Sequence, residues 1–87
     1  MFSADADKSV NLLRIRVWER VTAEEVERCV QEVTSLLPGL QKGFTLLTDL
    51  SGLEAMDLDC VPPLEGLMDL CRQAGVVMVV RVIPDPH

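Results

Sequence analysis

Leu46-Leu47-Thr48-Asp49-Leu50-Ser51-Gly52-Leu53-Glu54-Ala55-Met56-Asp57-Leu58-Asp59-Cys60 is the stretch on which the reading of this chain turns. An apolar run ends at Asp49-Leu50-Ser51-Gly52, an acidic segment follows, and Pro62-Pro63 then suit the first turn of a helix. The residues predict a strand over 44–50, a break at Ser51-Gly52, an acidic turn and a helix with Leu64, Leu67, Met68 and Cys71 on its inner face. Ala74-Gly75 closes that helix. In open α/β sheets, ligands and partners meet the loops at the carboxyl ends of strands, so this turn is where function is expected.

Working outward, residues 11–19 alternate, with Leu13, Ile15 and Val17 on one side and Arg14, Arg16 and Trp18 on the other, the period of a half-buried strand. Thr22 and Glu25 form a capping box, Val21 and Val26 a hydrophobic staple, and Val26, Cys29, Val30, Val33 and Leu37 repeat at helical spacing up to Pro38-Gly39. Val76 to Ile83 is β-branched and apolar on both faces, which suits the interior of a parallel sheet. The order β-α-β-α-β implies two right-handed crossovers, so the expected class is α/β: a small parallel three-stranded sheet with the helices mainly on one face.

At 87 residues the chain is one domain, and it buries only about 60–65% of its extended-chain surface, a thin margin that a partner subunit would widen. Residues 1–9 read as flexible, and Pro84-Asp85-Pro86-His87 as a lead into further structure. The net charge of −6 and aromatics limited to Phe2, Trp18 and Phe44 disfavour nucleic acid and anionic membranes, which need basic or stacking surfaces. Three cysteines without a Cys-x-x-Cys pair argue against a disulfide framework, and no stretch is a signal peptide or a membrane span. A soluble, reducing, cytoplasmic setting is the expectation. Cys29 and Cys71 read as small buried hydrophobes, whereas Cys60, before a helix, is the one thiol placed for reactivity.

The segment Thr45 to Asp57, with the helix and strand after it, resembles STAS domains, the module shared by sulfate transporters and anti-sigma factor antagonists. The likeness spans roughly residues 10–83 and is nearest the divergent, SpoIIAA-like antagonist group of bacteria. It implies a module that acts by protein–protein interaction through the segment from Asp49 to Cys60 and the start of the second helix. Phospho-regulated antagonists continue the acidic turn with two serines and a glycine, the second serine accepting phosphate; here Leu58, Asp59 and Cys60 stand there. Asp59 takes the acceptor position in an alignment that the tandem prolines loosen, and it has no hydroxyl. Its single charge copies a phosphoserine only in part, so no phosphoserine switch is expected. Set beside typical members, the chain is expected to lack their extra terminal strand and helix.

The partner-binding candidates are therefore Ser51, Glu54, Met56, Asp57 and Asp59, which combine a strand-end position with polar or flexible side chains. Asp49 reads more simply as a group that satisfies turn amides. Arg14 and Arg16, joined by Arg81 if the register allows, are candidates for an anion or dimer contact, against the plainer reading of an ion pair with Asp49 or a nearby glutamate. No catalytic residue, metal ligand or cofactor is expected: the carboxylates lack a matched acid or base, His87 is the only histidine, and there is no phosphate-cradling glycine loop or nucleophile elbow. Two other readings stand beside docking. One is a small apolar ligand or lipid in a pocket lined by Phe44, Leu46, Leu67, Met68 and Met78; the other is a homodimer of purely structural purpose.

Overall fold

In a computed structural model, which describes residues 1–84, the chain forms four strands and two helices: β1 (Phe2–Asp7), β2 (Leu12–Val21), α1 (Ala23–Leu36), β3 (Thr45–Met56), α2 (Val61–Ala74) and β4 (Met78–Val82). Short 3-10 turns follow α1 at Leu37–Gly39 and precede α2 at Leu58–Cys60. The sheet order is β1-β2-β3-β4, with β1 antiparallel to β2 and the other two pairings parallel. The α/β class stands, and the two parallel pairings are each joined through a helix. The parallel three-stranded sheet is corrected to a mixed four-stranded one.

The fourth strand comes from residues 1–9, which the sequence reading took as flexible. Phe2, Ala4 and Ala6 lie opposite Val17, Ile15 and Leu13, while Ser3, Asp5 and Asp7 alternate on the other side. This is the period-2 pattern of a half-buried strand, weak because alanine is small. The turn that follows is built by short polar side chains. The Asp7 carboxylate accepts from Ser9 N–H and Oγ–H, and Asn11 adopts φ 52°, a left-handed conformation that asparagine tolerates. Asn11 also exchanges two hydrogen bonds with the Gln41 backbone, tying the hairpin to the chain that enters β3.

Helix α1 starts as its residues predict, with Thr22 as N-cap and the reciprocal capping box to Glu25. The N-terminal amine of Met1 donates to the carbonyls of Trp18 and Arg20 and sits 2.9 Å from Glu25 Oε2. Helix α2 begins at Val61 with prolines in its first turn and ends at Gly75, whose φ of 97° suits glycine. Both helices cover one face. Leu13, Ile15, Val17, Val21 and Leu46 from the sheet pack with Val26, Cys29 and Val33 of α1 and with Leu67 and Cys71 of α2.

Strand β3 does not break at Ser51-Gly52 but runs to Met56, and β4 is not interior. β4 pairs only with β3, and every one of its side chains is exposed. Among the described residues no element covers its outer edge.

Candidate functional site

The acidic segment is a strand extension that carries two irregularities. Its pairing with β2 shifts register between Arg16 and Trp18 and again between Glu19 and Arg20. Each shift gives β3 one extra residue, so strict alternation fails and the strand bends. Leu50, Leu53 and Met56 all turn toward the helix side, three residues apart, leaving Ser51, Gly52, Glu54 and Ala55 exposed. On β2 the second irregularity coincides with Glu19 at φ 59°, a left-handed conformation costing a non-glycine residue on the order of 1 kcal/mol or more.

Each candidate side chain has a defined place on this rim. Ser51 N–H and Oγ–H both donate to Asp49 Oδ1, at 3.0 and 2.6 Å. These bonds hold the Asp49 carboxyl below its ordinary value, with a smaller contribution from Arg16, whose Nε lies 3.9 Å away. With Ser3, Trp18 and Gly52 they line a shallow cleft of about 290 Å³ on the outer face. Glu54 projects to solvent, Met56 is half-buried over the helix side, and Asp57 is bound at 2.7 Å by Arg20 Nη2. Asp59 is exposed in the 3-10 turn. The five candidates thus lie along one edge without converging on a point, Met56 inward and Asp57 already paired.

Two further rim residues differ from their sequence reading, which leaves Leu58 out of the contact and gives Cys60 a reactive role. Leu58 is 88% exposed, an isolated apolar side chain between Asp57 and Asp59 at the mouth of α2. Cys60, singled out as the reactive thiol, is fully buried, its Sγ 3.6 Å from the Val21 carbonyl oxygen. Burial pushes its thiol upward in pKa, opposed by a hydrogen bond with the Asp57 backbone and aided by the charges of Asp57, Asp59 and Glu25. The reactive reading is withdrawn. Cys60 anchors the turn so that Leu58 and Asp59 stand outward.

Arg14, Arg16 and Arg81 do not form one site. Arg14 and Arg16 lie on the outer face, where Arg16 stands near Asp49 as the plainer reading expects, while Arg14 is bound at 2.9 Å by Asp5 of the neighbouring strand instead. Arg81 pairs in register with Thr48, which places it on the helix side. There it borders an apolar cavity of about 280 Å³ between the sheet and the helices. Of the five residues expected to line such a pocket, Leu46, Leu67 and Met68 do; Phe44 belongs to the packed core and Met78 faces outward. Among the described residues no group of three histidine, cysteine or acidic side chains could hold a metal ion, and no helix is long and apolar enough to cross a membrane.

No family model matches the chain, and no curated protein matches it. Solved structures do. The anti-sigma factor antagonist SpoIIAA, in its unphosphorylated form, superposes with a TM-score of 0.71 at 19% identity, over 99% of this chain and 76% of that one. The fold is SpoIIAA-like. A second structure, that of Mglu, matches with a TM-score of 0.68 at 13% identity, over 98% of this chain but only 19% of its own length. The SpoIIAA-like fold accords with the STAS resemblance carried by the segment from Thr45 to Asp57. At such identities the likeness reports architecture alone, so function has to be argued from the rim.

Proposed function

We propose that the protein is a non-enzymatic interaction module that docks on a protein partner through the rim from Asp49 to Cys60 and the first turn of α2. The observation that supports this reading is the exposed Leu58, flanked by Asp57 and Asp59 and anchored from below by buried Cys60. An exposed leucine between two carboxylates provides an apolar contact with a polar border. Ser51, Glu54, Met56, Asp57 and Asp59 extend the contact along the strand. Because Arg20 neutralises Asp57, Glu54 and Asp59 supply most of the field, which suits a basic partner surface. By analogy with SpoIIAA, an anti-sigma factor is the partner class this reading favours.

The charge on the rim is fixed on this reading. Asp59 has no hydroxyl with which to form a phosphoester, and the one hydroxyl on the segment after Thr48, that of Ser51, is engaged by Asp49. The test is a pull-down from host lysate with the wild type, with Asp57→Lys/Asp59→Lys and with Leu58→Asp, each checked for native circular dichroism. Loss of the same captured protein in both variants supports the reading. An unchanged set of captured proteins contradicts it.

A further inference from the structure

We infer that the helix-side cavity binds an aliphatic carboxylate, its chain between the sheet and α2 and its head group at Arg81. Among the fifteen residues that line the cavity, only Thr48 and Arg81 carry nitrogen or oxygen in their side chains. The bulged course of β3 turns Leu50, Leu53 and Met56 inward, opposite Leu64, Leu67 and Met68 of α2. At about 280 Å³ the space lies near the lower end of small-molecule sites, which are concave, mostly apolar and fixed by a few polar groups. An apolar lining of this extent favours hydrocarbon over water.

Arg81 sets the class of head group. Arg14, Arg16, Arg20 and Arg72 each lie within 4 Å of an aspartate, whereas among the described residues no carboxylate stands that close to Arg81. Its register partner on the same face is Thr48, so the two polar residues stand side by side on one border of an otherwise apolar space. Guanidinium pairs a carboxylate in bidentate fashion, and a hydroxyl supplies a further donor. A neutral or cationic head group would forgo that contact. Arg28, Lys8 and Lys42 also have no carboxylate within 4 Å among the described residues, but of these cations only Arg81 borders the apolar cavity.

The probe is sodium octanoate, with 1-octanol and octylammonium as controls, titrated into methyl-labelled protein and followed by NMR. Saturable shifts are expected at Leu50, Leu53, Met56, Leu64, Leu67 and Met68, with Met78 and Val80 on the outer face unmoved. Arg81→Gln is expected to weaken octanoate by about tenfold and leave octanol unchanged, the size of one charge-assisted contact. Absence of saturable shifts in the wild type, shifts confined to Met78 and Val80, or equal affinity for octanoate and octanol would each overturn the inference.

Discussion

Trp18 and Gly52 face each other across the first register shift, and a methyl group on Gly52 would lie 2.9 Å from Trp18 Cβ. The contact is to the root of a side chain, with no flexible end to swing aside, so the strands must part. Gly52→Ala is expected to destabilise the protein by about 1–3 kcal/mol, read as a lower urea midpoint. The cysteines make a second residue-scale prediction. Burial raises all three thiols, Cys29 to about 11, so native protein should be inert to a thiol-specific reagent at pH 8, while denatured protein reacts fully. Rapid labelling of Cys60 in the native state would show that the turn beneath Leu58 opens. The sequence could not signal this burial, since Cys60 lies beside prolines and aspartates and only the fold brings Val21 over it.

Among the elements, those with regular periods were legible and those with irregularities were not. β2, α1 and the inner face of α2 follow their apolar spacing, and the capping box of Thr22 and Glu25 forms as read. β3 beyond Leu50 reads as a turn because its inward residues recur every third position, which matches neither strand nor helix period; two bulges generate that spacing. β4 was misplaced for a different reason. Apolarity on both faces matches an interior strand, but no strand pairs beyond β4 among the described residues and all five of its side chains are exposed. The start of α1 gives an element-scale prediction. The Met1 amine, chiefly, and then the Thr22 backbone hold Glu25 below its ordinary value of 4.5, against a desolvation that opposes them. A depressed folded pKa contributes stability above pH 4.5 that is lost as pH falls through the folded value. Glu25→Gln should therefore narrow the gap in stability between pH 7 and pH 3, measured by urea unfolding at each pH. Thr22→Ala should cost about 1 kcal/mol at either pH.

The whole molecule divides its surface unequally. The outer face is charged over β1 and β2, where Asp5, Arg14, Arg16 and Asp49 pair across strands, and apolar over β4, where Met78, Val80 and Val82 are exposed beside Leu47. An exposed apolar edge strand invites pairing with another chain. One strand of five residues offers far less than the roughly 800 Å² per partner of a stable interface, so self-association should be weak. Sedimentation equilibrium should show concentration-dependent association that Val80→Lys diminishes. The central claim concerns the carboxyl end of β3, where the bulged strand raises Leu58 over Cys60. Its most direct test is a photo-crosslinking residue placed at Leu58 and, separately, at Arg14, followed by mass spectrometry of adducts formed in the source cells. The docking account predicts a discrete protein adduct from position 58 that is absent from position 14; adducts from position 14 with none from 58 would contradict it.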